Sequence, residues 1–331
     1  MKHYSLLDLA PVNEGDTPVT AFANAADLAR HAEDWGYQRY WLAEHHNMPG
    51  IASAATSLVI GHVASKTKSI RVGSGGVMLP NHSPLVIAEQ FGTLESLYPG
   101  RIDLGVGRAP GSDMTTARAL RRNLESNPDR FLEDVSELQS FFEPVGANQS
   151  VQAVPGGGLE IPIWILGSSL FGAQVAAAMG LPFAFASHFS PDALLSAIDV
   201  YRSRFRPSAS LSQPHLMIGV NFFAADTEEE ARKLFTSLQV QFTNLFRGSP
   251  GKLQPPNDSM EDYWSPSESA GVGHALQYAV VGTVDTAGEE MQKLLDTTGA
   301  DEVMFTAQIF DHEARLKSFQ IAAHVASKLI S

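Results

Sequence analysis

Eight times along the 331-residue chain, a short run rich in β-branched and aromatic residues gives way to a helical pattern. The runs are Tyr4–Leu9, Arg39–Ala43, Ile70–Val77, Ile102–Val106, Pro162–Leu166, Phe183–Ala186, Leu216–Phe223 and Glu302–Thr306. Most are short and apolar, as strands covered on both faces must be. Strands and helices in alternation either close into a barrel or open into a doubly wound sheet. A dinucleotide-binding open sheet would carry a glycine fingerprint after its first strand. Leu9-Ala10-Pro11-Val12-Asn13 stands there instead. The expectation is therefore an α/β fold, a (β/α)8 TIM barrel, as one domain over residues 1–331.

Helix punctuation supports the alternation. A first helix is expected at about Thr20–Trp35, stopped by Gly36. Ser83-Pro84 and Ser190-Pro191 each set a capping residue before a first-turn proline. Thr227 with Glu230, and Thr286 with Glu289, have the spacing of a capping box. Gly180 and Gly299 stand where a helix must pass into a strand through a left-handed residue. Leu316, Phe319, Ala323 and Ala326 share one face of the last helix, a core-packing stripe. Two segments exceed a minimal barrel. Glu143–Glu160 reads as a loop with three consecutive glycines. Phe246–Gly282, rich in Pro, Ser and Gly, reads as a long insertion between strands 7 and 8. On a rigid scaffold such an insertion is either a lid or binding loop, or a surface element without a role; both readings stand.

Composition removes several function classes. A formal net charge of -13 repels phosphodiester backbones and anionic lipid, so no nucleic-acid or membrane partner is expected. One anion can still be held locally by a helix N-terminus and an arginine. The absence of cysteine excludes disulfides, thiol catalysis and Cys-ligated metals. With 44% apolar and 18% charged residues the chain can build a large core. Met1 to Ala10 reads as a strand rather than a signal peptide, and a cytoplasmic protein is expected.

In barrels of this kind the site lies at the C-terminal ends of the strands. Polar residues and glycines gather there: Glu44-His45-His46-Asn47 after strand two, and Gly73-Ser74-Gly75-Gly76 within strand three, with Asn81-His82 beyond. Gly107-Arg108 follows strand four, Gly167-Ser168-Ser169 strand five, Ser187-His188 strand six and Gln308 strand eight. Adjacent strand residues face opposite ways, so His45 and His46 do not chelate together. No third nitrogen stands at a telling spacing, and no metal is expected. A histidine here can move a proton at a carbonyl or peroxide, or simply pair with Glu44. Three glycines in a strand mark a ligand's close approach or a bulge. Gly167-Ser168-Ser169, ahead of a helix at Ala173–Met179, offers free N–H groups and two hydroxyls to a phosphate, with Arg108 as a charged partner. Plain N-capping by a serine, or a sugar phosphate as the ligand, are the other readings of that loop.

Together these motifs resemble the bacterial luciferase-like, flavin-dependent monooxygenase family. The runs Trp41-Leu42-Ala43-Glu44-His45-His46-Asn47, Val72–Pro84, Pro99–Arg108, Ile165–Ser169 and Gly299–Met304 occur in the family's order and span nearly the whole chain. The resemblance implies reduced FMN, usually supplied by a separate flavin reductase, and the use of O2 to oxygenate a small organic substrate. It implies that His45, with Glu44 beside it, is the catalytic histidine near the flavin ring. By the same carry-over, Gly75-Gly76 forms a non-prolyl cis peptide under the ring, and Arg108, Gly167, Ser168 and Ser169 hold the phosphate. It also implies a homodimer through early helices, with apolar faces around Leu58 and Leu94. In the light-emitting subunit of luciferases a cysteine precedes the arginine equivalent to Arg108; Gly107 stands here, so luminescence is not expected. The pattern is closest to single-subunit bacterial members. Two rival readings are an F420-dependent oxidoreductase on the same barrel and a non-catalytic flavin-binding protein. A Schiff-base aldolase ranks last, because no lysine stands at a strand end.

Overall fold

The computed structural model describes residues 1–108, 114–120, 130–147 and 149–330. Eight parallel strands close on themselves. They are β1 (His3–Asp8), β2 (Arg39–Leu42), β3 (Arg71–Met78), β4 (Ile102–Gly107), β5 (Ile163–Gly167), β6 (Phe183–Phe185), β7 (Leu216–Ala224) and, after a short β8 (Val280–Gly282), β9 (Glu302–Thr306). The ring runs β1-β2-β3-β4-β5-β6-β7-β9 and returns to β1, every pair parallel. Among the described residues, β8 pairs only with the upper end of β7, Phe222 to Val280. Its three residues are too few to show a period, so the sequence did not reveal it.

The surrounding helices are α1 (Pro18–Asp34), α2 (Thr56–Ala64), α3 (Pro84–Leu97), α4 (Met114–Leu120), α5 (Arg130–Phe142) and α6 (Leu170–Met179). They continue with α7 (Leu194–Arg204), α8 (Glu228–Phe246), α9 (Pro266–Ala275), α10 (Val284–Thr298) and α11 (His312–Leu329). Gly180 and Gly299 are left-handed caps at φ 64° and 57°. Thr227 caps α8 by accepting from the Glu230 N–H. The expected Thr286/Glu289 box is corrected: α10 starts earlier, and Thr283 caps it by accepting from the Thr286 N–H. Ser190-Pro191 precedes a turn, and α7 begins only at Leu194. The stripe Leu316, Phe319, Ala323 and Ala326 is buried.

The interior is layered by the two-residue alternation of strand side chains. At the N-terminal mouth lies a charged layer. Arg39 donates to Glu302 Oε1 (2.7 Å) and to Asp103 Oδ2 (2.9 Å), and Arg71 donates to Asp103 Oδ1 (2.7 Å). Ser5 Oγ donates to Glu302 Oε1 (2.5 Å) and His215 Nε2 to Glu302 Oε2 (3.1 Å). Above it Leu7, Trp41, Ala43, Trp164, Ala184, Met217 and Met304 form an apolar plug. The barrel is thus filled beneath its C-terminal mouth, which is where a ligand site in such a barrel lies. The larger core lies between the strands and the helices.

Between β7 and β9 the chain forms α8, a loop, α9, β8 and α10. The loop is pinned to the β1–α1 connection: Leu253 N–H donates to Val12 O (3.0 Å), Glu14 N–H to Leu253 O (2.8 Å), and Lys252 Nζ to Asp16 O (2.7 Å). Of the two expected interface leucines, Leu58 is 75% exposed whereas Leu94 is 6% exposed. Leu94 is corrected to a core residue: its Cδ2 would lie 3.3 Å from a β-carbon at Gly61 of α2. On the same helix Leu97 is 63% exposed and Val86 44%. No described helix is long and apolar enough to cross a membrane.

Candidate active site

β2 ends just before Glu44, whose carboxylate is buried at the open mouth. Glu44 Oε1 accepts from His46 Nε2 (2.8 Å) and His82 Nε2 (2.9 Å), and Oε2 accepts from the Met78 N–H (3.0 Å). Burial pushes this carboxyl up. The His82 hydrogen bond and charge, the His46 bond and the Met78 N–H together outweigh it, so the pKa is lowered. The sequence placed no third nitrogen near His45 and His46. The fold corrects this, since the turn after β3 delivers His82, and the three ligand atoms of Glu44, His46 and His82 lie within 4.8 Å of one another. Both carboxylate oxygens are already hydrogen-bonded. His45 stands half-buried between these anchors, and Asn47 adopts a left-handed φ of 55°. This buried carboxylate ties the end of β2 to His46 and to the turn after β3.

β3 carries the glycine run. The Gly75–Gly76 peptide is cis, as the sequence resemblance implied. Pairing to β4 slips between Ser74 and Val77, so the strand is also bulged. A β-carbon at Gly75 would lie 2.6 Å from Leu7 Cδ1, and one at Gly76 would lie 2.7 Å from the Gly105 carbonyl oxygen. Neither position has room for a side chain.

At the β4 and β5 ends the candidate phosphate residues come together. The Arg108 guanidinium lies 4.2 Å from the ring centroid of Phe171, in the first turn of α6. Helix α6 starts at Leu170, three residues earlier than expected, and its N-cap Ser169 is extended with no side-chain cap hydrogen bond. Arg108 and Ser169 are exposed, and Gly167 and Ser168 are half-buried. Unsatisfied N–H groups, two hydroxyls and a guanidinium suit a phosphate monoester.

The buried polar atoms without a hydrogen-bond partner among the described residues include His188 Nδ1 after β6 and Gln308 Oε1 after β9. Buried polar atoms are ordinarily hydrogen-bonded. His188 stands at the strand end next to the open helix N-terminus, and Gln308 stands at the end of β9, between β7 and β1. The sequence pointed to both residues only as strand-end positions; their orphaned atoms depend on packing.

A family model described as luciferase-like monooxygenase matches residues 3–326. A protein of Escherichia coli strain K12 named luciferase-like monooxygenase is 56% identical, covering 99% of this chain and 98% of that one. The N-acetyl-S-alkylcysteine monooxygenase of Bacillus subtilis strain 168 is 31% identical over 97% of both chains. Among solved structures, apo-MsnO8 superposes with a TM-score of 0.88 at 31% identity, covering 99% of each chain. Two more distant structures share the fold. The oxygenating constituent of 3,6-diketocamphane monooxygenase from Pseudomonas putida, in complex with FMN, has a TM-score of 0.74 at 18% identity over 99% of each chain. An F420-dependent secondary alcohol dehydrogenase has a TM-score of 0.70 at 15% identity, covering 97% of this chain and 98% of that one.

Proposed function

Because the chain belongs to the luciferase-like monooxygenase family, we propose that it binds reduced FMN at the open mouth and uses O2 to oxygenate a small organic substrate. The observation that carries this reading is the convergence of an anchored histidine cluster and an open α6 N-terminus on one end of a plugged barrel. Reduced FMN, when bound, supplies the electrons that activate O2. The chain's own residues do the rest. Ser168, Ser169, Gly167 and Arg108 bind the phosphate, and Gly75 and Gly76 form the surface on which the ring rests. Glu44 fixes the β2 end so that His45 holds or moves a proton at the reacting atoms. The apolar plug beneath keeps water from entering through the barrel.

A flavin reductase is the proposed source of reduced FMN, and a second copy of the chain is proposed to cover the exposed leucines of α2 and α3. F420 is the second reading, supported by the F420-dependent enzyme on the same fold. The test is anaerobic titration with photoreduced FMN and with reduced F420. O2 is then admitted, and products are analysed from a panel of thioethers, aldehydes and ketones. Saturable FMN binding with an oxygenated product supports the proposal; binding of F420 alone, with hydride transfer, overturns it.

A further inference from the structure

Two imidazoles converge on one carboxylate oxygen past the end of β2. His46 Nε2 lies 2.8 Å from Glu44 Oε1, and His82 Nε2 lies 2.9 Å from the same atom and 3.0 Å from Oε2. The ligand atoms of the three residues all lie within 4.8 Å of one another, and among the described residues no other His, Cys, Asp or Glu trio comes so close. The backbone on both sides is constrained. Asn47, next to His46, holds a left-handed φ of 55°. A single 3-10 turn, Leu79–Asn81, delivers His82, whose N–H donates to the carbonyl of buried Leu79 (3.0 Å).

As a hydrogen-bonded cluster, each Nε2 must carry its proton, because an ionised carboxylate only accepts. With the proton on Nδ1 instead, two nitrogen lone pairs and one carboxylate oxygen face a common point. Two imidazoles and a carboxylate are a donor set for a divalent transition metal, whereas Mg2+ and Ca2+ take oxygen. Tetrahedral zinc with bonds of about 2.0–2.2 Å sets neighbouring ligand atoms roughly 3.3 Å apart, so each imidazole need swing outward by only about half an ångström. The side chains of His46 and His82 are 17% and 27% exposed, and that of Glu44 only 2%. An ion therefore arrives from the histidine side and keeps a position for water, as three-ligand zinc sites do.

We propose that Glu44, His46 and His82 form a binding site for a divalent transition metal of the zinc class, with water as the fourth ligand. The ion takes over the tie that the hydrogen bonds make between the end of β2 and the turn after β3. His45 is outside the ligand set, and no flavin is needed to complete the site, so it stands or falls independently of the FMN reading.

Co2+ titration of the full-length protein, prepared without a histidine tag and without FMN, tests the site by visible absorption and calorimetry. One Co2+ per chain is expected, with the strong d–d band of a four- or five-coordinate ion. Zn2+ should displace it and raise the thermal midpoint, because it binds the folded chain, and Mg2+ should do neither. His46→Gln and His82→Gln each keep an N–H donor for Glu44 but remove a nitrogen ligand. Each should raise the Kd for Co2+ at least about tenfold, the loss that follows removal of even an outer partner of a metal ligand. Metal-free midpoints near that of the wild type would show that folding is not the cause. Unchanged affinity in both variants would put the ion on surface histidines such as His274 and overturn the site. The wild-type spectrum decides even if a variant folds poorly. A pale octahedral spectrum, or no saturable uptake at micromolar ion, overturns the site.

Discussion

The imidazole of His188 fills the space that a β-carbon on Gly219 would occupy. The nearest atom to that β-carbon is Nδ1 itself, so even one methyl group must displace the ring. Gly219→Ala is therefore expected to unfold at lower urea than the wild type, because the ring or the strand must shift. An unchanged urea midpoint in Gly219→Ala would show that the ring has another place to go.

Arg108 is the strand-end cation beside the α6 N-terminus, stacked on Phe171 and, among the described residues, not paired with a carboxylate. Arg108→Ala should weaken FMN by roughly 1.5–3 kcal/mol, the range for a charged hydrogen bond, and its exposure favours the lower end. Riboflavin, which lacks the phosphate, should bind wild type and variant alike. Equal losses for both ligands would place Arg108 against the ring instead.

The proposed dimer depends on α2 and α3, where Leu58 and Leu97 are exposed. An aspartate at either position leaves the buried core untouched but charges the face that a second copy would cover. Leu58→Asp and Leu97→Asp should shift the protein to monomers in sedimentation at micromolar concentration without lowering its thermal midpoint. A wild-type protein that is already monomeric would end this expectation.

How much of this was legible in the sequence follows from which physics is local. Strand existence and order were readable because most barrel strands are short, largely apolar runs bounded by turn residues. Gly180 and Gly299 were readable because a left-handed cap needs a specific residue type. Helix starts were less so: Thr283, not Thr286, caps α10, and both threonines are plausible N-caps. The meeting of Glu44 with His82, 38 residues apart, was not readable, because it depends on how the turn after β3 folds back over β2. The charged layer at the N-terminal mouth was missed for a related reason. Arg39, Asp103 and Glu302 sit at strand starts where solvent exposure is the usual expectation, and only barrel closure buries them together.

That layer carries a stability prediction. Arg39 is the cation shared by Asp103 and Glu302, and its guanidinium lies 4.8 Å from the Trp164 ring centroid. Arg39→Met keeps the bulk but leaves two buried carboxylates without that partner. Breaking a buried ion pair from one side costs about 3–5 kcal/mol. The variant should unfold at distinctly lower urea, with FMN affinity preserved in whatever fraction remains folded. A midpoint near wild type would mean that Arg71 and His215 suffice to compensate the pair.

Two separate acid windows follow from His188 and Glu302. The His188 pKa is lowered from 6.5 to about 4, mainly by burial and secondarily by the charge of His45. Between those values the unfolded chain binds a proton that the folded one does not. Its contribution is therefore complete above pH 6.5 and is lost as the pH falls towards 4. Burial alone would raise the Glu302 carboxyl, but the charge of Arg39 and hydrogen bonds from His215, Arg39 and Ser5 hold it at about 2. Its contribution is complete above 4.5 and is lost only as the pH falls towards 2. The first window is worth up to roughly 3 kcal/mol at about 1.4 kcal/mol per pH unit of displacement. Asparagine at position 188 does not titrate, so His188→Asn without FMN should lose less stability than wild type between pH 7 and 5. Below pH 4 the two proteins should decline in parallel, because Glu302 is common to both. Urea midpoints at pH 7, 6, 5 and 3.5 would separate the windows. Parallel curves from pH 7 downward would show that His188 takes up its proton in the folded protein as readily as in the unfolded chain.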